Sequence, residues 1–92
     1  TAQEHLASIF RRDLELRQPQ IQAALEQAQW EQLRDVAHLV KGAALSAGVT
    51  DLVRAADALE RACLAQPFQA DLCADHAHIL LRALEHYMGA SI

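Results

Sequence analysis

The sequence has few of the residues that build β-rich or disulfide-stabilised proteins. Its 92 residues include only three glycines, two prolines and two cysteines, and aromatic residues make up 4%. No stretch alternates apolar and polar residues over a useful length, so we predict no β-sheet. Cys63 and Cys73 lack the CxxC spacing of redox motifs. The simplest interpretation is two small buried side chains, and a disulfide forms only if two helices bring the cysteines together.

Long apolar runs and basic clusters are missing as well. No run approaches the ~18 residues that a membrane-spanning helix needs. The formal net charge is −4, and an acidic chain without a basic patch binds neither nucleic acid phosphates nor an anionic membrane well. We therefore predict no nucleic acid partner and no direct membrane contact. Because the sequence begins with Thr1 rather than methionine, we expect it to be part of a longer protein.

Apolar residues make up 52% of the chain, and they recur at the three- and four-residue spacing of amphipathic helices. This pattern predicts a single all-α domain over residues 1–92, an antiparallel up-down four-helix bundle. The predicted helices run over about 2–27, 30–47, 50–65 and 69–88. Pro19 predicts either a kink near Glu15–Gln18 or two shorter helices. Gly48 and Gly89 are expected to end helices, and Thr50 to cap the third.

The spacing also predicts which side chains form the core. The predicted core positions are Leu6, Ile9, Phe10, Ile21, Ala24 and Leu25; Leu33, Val36, Ala37, Val40, Ala44 and Ala47; Leu52, Val53, Ala56, Leu59, Ala62 and Cys63; and Leu72, Cys73, Ala77, Leu80, Leu81, Leu84 and Tyr87.

One stretch of the second predicted helix combines residues that suggest chemistry rather than packing. With 100° per residue, His38 points roughly 140° away from the core direction and Gly42 roughly 180° away. Lys41, the only lysine of the chain, and Leu45 flank them on the outward side. Glycine costs about 1 kcal/mol relative to alanine inside a helix. We infer that something large must approach the imidazole closely.

These side chains suit the handling of a phosphoryl group. An exposed imidazole is largely neutral and nucleophilic at physiological pH. Lys41 offers a mobile positive charge, Gly42 gives access, and Leu45 adds apolar docking surface. The sequence shows no neighbouring carboxylate cluster for Mg²⁺ and no glycine-rich phosphate loop. His76 and His78, two residues apart, cannot share one helix face, and we predict no metal site.

The segment from His38 to Gly48 resembles the signature of histidine-containing phosphotransfer (HPt) domains. The pattern is His38-x-x-Lys41-Gly42-Ala43-Ala44 followed by a second glycine, Gly48. Before it, Trp30 and Leu33 are similar to an Asp-Trp-x-x-Leu entry, with Gln29 in place of the acid. After it, Leu52, Ala56 and Leu59-Glu60 are similar to the family's third helix. The match is good over about residues 24–62.

The resemblance implies phosphorelay on a four-helix bundle. His38 would accept a phosphoryl group from a receiver-domain aspartate and pass it to another receiver aspartate. Lys41 would help neutralise that group and Gly42 would give access. We hypothesise attack by Nε2, with the proton on the other nitrogen held by water or by a group from a neighbouring helix. Arg34 and Leu45 are predicted to contact the partner; many members have a smaller or polar residue in place of Leu45.

The partners implied by the resemblance are response-regulator receiver domains on the same chain or on a separate protein. They would supply Mg²⁺, so we predict no cofactor bound by this domain itself, and whether the domain counts as an enzyme stays open. We expect a monomeric domain in the cytoplasm, either alone or as the cytoplasmic end of a membrane-anchored sensor. Its expected position is the C-terminal module of a hybrid sensor histidine kinase.

Two alternatives stay open at this point. The domain could be the phosphoacceptor substrate of a chemotaxis-type histidine kinase, with ATP as the donor. It could also be a helical adaptor without chemistry, which predicts no acid-labile, base-stable phosphate on His38 under any donor.

Overall fold

The protein is a bundle of four helices joined by short connections. A computed structural model describes residues 2–90, so Thr1 and the expectation based on it lie outside the described residues. The helices are α1 (Ala2–Glu26), α2 (Trp30–Ala47), α3 (Thr50–Leu64) and α4 (Ala70–Ala90). Each packs against its neighbour in the chain, and α1 also packs against α4. The predicted all-α four-helix bundle is confirmed. None of these helices is both long and apolar enough to cross a membrane.

The helices differ from the prediction at three positions, Pro19, Thr50 and Gly89. Pro19 lies exposed inside one continuous helix, so the alternative of two shorter helices is wrong; packing of α1 on two neighbours outweighs the lost hydrogen bond. Thr50 is the first helical residue of α3 rather than its cap. Val49 is the capping residue, because its carbonyl accepts from the Val53 N–H at 3.1 Å. Gly89 does not end α4, which continues to Ala90.

The turn between α2 and α3 is the tight one that Gly48 predicts. Gly48 ends α2 with a φ of +75°, in the left-handed region that glycine adopts without steric cost. Its N–H bonds to the Leu45 carbonyl at 3.2 Å, and the Val49 N–H bonds to the Ala44 carbonyl at 3.0 Å. These two bonds close the helix end. As a result α3 folds straight back along α2.

The core is largely aliphatic, but four predicted core residues are exposed. Apart from Phe10, the buried residues are aliphatic or small, and they include Leu14, which the spacing missed. Leu6 and Ile9 are exposed because every described side chain before Phe10 in α1 is exposed. Helix α1 has 25 residues against 18 in α2, so its ends cannot both be covered by that neighbour. Leu72 is exposed in the first turn of α4. Ala47 is exposed because it is the last residue of α2.

The two cysteines face each other between α3 and α4. Both are free; Cys73 is buried and Cys63 is half-buried. Burial, with a further contribution from the adjacent Cys73 thiol, raises the pKa of Cys63 to about 12. A thiol reacts through its thiolate, so Cys63 is unreactive near neutral pH, and Cys73 is buried. The interpretation of the cysteines as small packing residues therefore fits the structure.

Candidate functional site

The histidine of α2 is exposed and held from one side by a carboxylate of α3. The His38 side chain is 66% exposed, which agrees with its predicted outward direction. Its Nδ1 lies 2.8 Å from Oε2 of Glu60, whose side chain is only 16% exposed. The tight turn at Gly48 positions this pair, since it brings α3 back alongside α2. The imidazole is thus fixed by a group from a neighbouring helix.

This contact decides which imidazole nitrogen carries the proton. The pKa of Glu60 is lowered, mainly by the Lys41 contact and also by His38, which together outweigh the opposing effect of burial. Glu60 is therefore an ionised acceptor near neutral pH, and Nδ1 must be the donor. In a neutral imidazole the other nitrogen, Nε2, then keeps its lone pair. We assign this tautomer from the acceptor, because a carboxylate has no proton to give.

Lys41 is held by the same carboxylate and by a second one. Its Nζ lies 2.7 Å from Oε1 of Glu60 as an ion pair that lacks hydrogen-bond alignment, and 3.4 Å from Oδ1 of Asp57. The side chain is 24% exposed. The contact with Glu60, followed by that with Asp57, raises the pKa of Lys41. The cation that the sequence predicted to be mobile thus contacts two carboxylates of α3.

Gly42 leaves bare backbone on the outer face of α2. A Cβ built at this position would meet nothing within 4 Å, so no neighbouring helix requires the glycine. Close helix packing is therefore not the reason for it. Glycine at this position lowers helix stability by about 1 kcal/mol relative to alanine, and no packing contact within residues 2–90 compensates for that loss.

The other two predicted site residues lie on different sides of the histidine. Arg34 shares an open depression of about 440 Å³ with Asp35, His38, Leu39 and Glu60. Leu45 is 61% exposed but does not line this depression. Leu39, which the sequence did not single out, lines the depression and is exposed.

Two carboxylates of α3, Asp57 and Glu60, lie beside His38. Each is paired with a basic group: Glu60 with Lys41, and Asp57 with Lys41 and with Arg61, whose Nε lies 3.0 Å from Oδ2. Among residues 2–90, no three His, Cys, Asp or Glu side chains are placed to share a metal ion. These carboxylates serve as ion-pair partners.

Sequence reasoning missed Glu60 and Asp57 as site residues, although a signal for them exists. His38 and Glu60 are 22 residues apart, and Lys41 and Asp57 are 16 apart. Both pairs are centred on Val49, beside the glycine that ends α2. In an antiparallel helix hairpin, residues equally distant from the turn lie opposite each other, so counting from the turn would have found both carboxylates.

One comparison with known proteins gives a match. The sequence model of the family described as Hpt domain matches residues 5–90, nearly the whole chain. Comparisons with curated proteins and with solved structures give no significant match.

The lowered pKa of Glu60 predicts a pH-dependent contribution to stability. A carboxyl whose pKa is lower in the folded than in the unfolded state stabilises the fold above its ordinary value, here 4.5, and loses this effect as the pH falls through the folded value. Near neutral pH we expect Glu60→Gln to lower the free energy of unfolding by about 1 kcal/mol. In urea unfolding series, this difference from the wild type should shrink in acid.

The matched control is Glu85→Gln, which removes an exposed carboxylate from α4. It should change stability little at any pH. A difference between Glu60→Gln and the wild type that stays constant from neutral to acidic pH would contradict the stabilising pairing of Glu60.

Proposed function

This chain belongs to the Hpt domain family, as its resemblance predicted, and we propose that His38 is the residue that carries the phosphoryl group. Hpt domains act in histidine phosphotransfer within phosphorelay signalling and interact with receiver domains. The observation that supports His38 most is its contact with Glu60: Nδ1 is engaged at 2.8 Å, while the side chain is 66% exposed. The nucleophilic Nε2 is thereby available to a partner.

The proposed transfer proceeds by in-line displacement at phosphorus. The lone pair of His38 Nε2 attacks the aspartyl phosphate of a receiver domain, and a new N–P bond forms. The P–O bond to the aspartate breaks, and its electron pair leaves on the carboxylate. The imidazole gains positive charge while Nδ1 keeps its proton, so the Glu60 carboxylate stabilises the product by a charge-assisted hydrogen bond. Passing the group to a second receiver aspartate reverses these steps.

The roles of the residues around His38 follow from their contacts. Lys41 lies against Glu60 and Asp57, so it offsets negative charge that would otherwise repel an incoming phosphoryl group. Gly42 removes a side chain where the receiver surface must come close. Leu45 offers exposed apolar area for docking. We expect the receiver to supply Mg²⁺, and this domain to act as the carrier. Membership in a hybrid sensor kinase stays a prediction.

Phosphoryl transfer to His38 is tested with a panel of receiver domains phosphorylated by acetyl phosphate. The wild-type domain should acquire an acid-labile, base-stable phosphate, and His38→Gln should acquire none. His78→Gln, which removes another exposed histidine, should be labelled like the wild type. Labelling of His38→Gln would contradict the assignment.

A parallel reaction with ATP and a chemotaxis-type kinase core separates the donors. Labelling only in that reaction would favour the kinase-substrate alternative, in which the same nitrogen attacks the γ-phosphorus of ATP. An absence of phosphohistidine with every donor would favour a structural adaptor.

Gly42→Ala should separate stability from function. Because a Cβ there meets nothing within 4 Å, alanine should raise the free energy of unfolding by up to about 1 kcal/mol. The same methyl group should hinder the receiver, so we expect the transfer rate to fall roughly tenfold. Rapid mixing with a phosphorylated receiver, followed by quenching, measures the transfer rate. Urea unfolding measures the free energy of unfolding.

Gly89→Ala is the matched control, since Gly89 also lies in a helix with open space around it. It should stabilise without slowing transfer. A Gly42→Ala domain that transfers as fast as the wild type would show that Gly42 does not serve partner access.

A further inference from the structure

The charged groups of α3 that face His38 are already neutralised before any phosphoryl group arrives. Glu60 and Asp57 contact Lys41, and Asp57 also contacts Arg61. Two carboxylates are thus matched by two cations. A phosphoryl group on Nε2 adds roughly two negative charges near neutral pH, and the positive charge of the protonated ring, already paired with Glu60, offsets only one of them. Lys41 cannot turn fully toward that group without leaving the carboxylates that hold it. A further cation is therefore needed on the Nε2 side.

Arg34 is the cation placed to meet this need. It lies one helical turn before His38, and residues four apart on a helix share one face. Both side chains line the same depression of about 440 Å³. The guanidinium contacts Asp35 Oδ1 from Nη2 at 3.2 Å and from Nε at 3.4 Å. Asp35 is the adjacent residue and is 67% exposed, so the pair is weak and water can replace it.

We propose that Arg34 binds the phosphoryl group on His38, exchanging its contact with Asp35 for the phosphoryl oxygens. This inference rests on the proposed function of His38 and names a residue of the phosphorylated state. The planar guanidinium can donate two parallel hydrogen bonds to two oxygens, a geometry that an ammonium cannot match. Lys41 keeps Glu60 in place, and Arg34 contacts the phosphoryl group itself. Asp35 competes for Arg34 and limits the lifetime of the phosphorylated form.

The test uses phosphoramidate, a donor that needs no receiver. His38 Nε2 attacks its phosphorus, the P–N bond of the reagent breaks, and the electron pair leaves on ammonia. The half-life of the phosphohistidine is then followed by ³¹P NMR after removal of the reagent. Arg34→Gln should shorten this half-life roughly fivefold, and Arg34→Lys should restore part of it. Asp35→Asn should lengthen it, because Arg34 loses its competitor.

Arg82→Gln serves as the matched control, since it removes an exposed arginine from α4, which does not line the depression. It should leave the half-life unchanged. The ³¹P chemical shift, followed against pH, gives the protonation midpoint of the phosphoryl group and so reports its contact with Arg34. This midpoint should lie at lower pH in the wild type than in Arg34→Gln. A merely structural role of Arg34 would not move this midpoint.

The outcomes separate this inference from the proposed function. Equal half-lives and equal ³¹P midpoints in the wild type and Arg34→Gln would overturn the role of Arg34, even if receivers label His38. An Arg34 effect on chemically phosphorylated His38, together with no labelling by any receiver or kinase, would support the binding role and contradict the relay. Failure of phosphoramidate and of every receiver to label His38 in the wild type would overturn both.

Discussion

The contact between Glu60 and His38 is the interaction on which the rest of the site depends. One carboxylate, mostly shielded from water, bonds Nδ1 of the imidazole through one oxygen and pairs with Lys41 through the other. It fixes the ring, selects the tautomer and holds the lysine. All three effects require α3 to return closely along α2. The left-handed turn at Gly48 is what makes that return possible, so backbone geometry and imidazole chemistry are directly linked.

The surface around this contact has features that suit the proposed docking of a partner. Gly42 costs helix stability and gains no packing contact in return. Leu39 and Leu45 stay exposed on the same helix, and burying such apolar area against another protein releases water favourably. Within residues 2–90, the His38 ring contacts Glu60 through Nδ1. In the proposed transfer, the domain supplies the nucleophile and the partner supplies the second reactant.

The sequence predicted the fold well because helical periodicity reports burial directly. It located four helices, the exposed direction of His38 and the turn at Gly48. It failed at Leu6 and Ile9, because a periodic stripe cannot tell where a long helix extends beyond its neighbour. The alternative of two shorter helices on either side of Pro19 was wrong for a related reason. The packing of α1 against α2 and α4 outweighs the local helix-breaking tendency of proline.

The site was only half predictable. Residues close in sequence to His38 were found by their spacing on one helix, but the position that matters most for the imidazole lies 22 residues later. Lys41 was expected to be mobile because its two carboxylate partners belong to another helix. Such contacts depend on the register between helices, and a single-helix wheel carries no information about it. Counting outward from the turn identifies Glu60 and Asp57. Contacts between neighbouring helices are therefore better predicted from the whole helix hairpin than from one helix.

The most direct test of this account is the protonation of the two imidazole nitrogens of His38. Long-range ¹H–¹⁵N correlation NMR of the unphosphorylated domain, in mildly alkaline solution where imidazoles are neutral, distinguishes them. We predict a protonated Nδ1 and a bare Nε2 in the wild type, with a mixture of tautomers in Glu60→Gln. A His38 that carries its proton on Nε2, or the same tautomer ratio with and without the Glu60 carboxylate, would contradict the account.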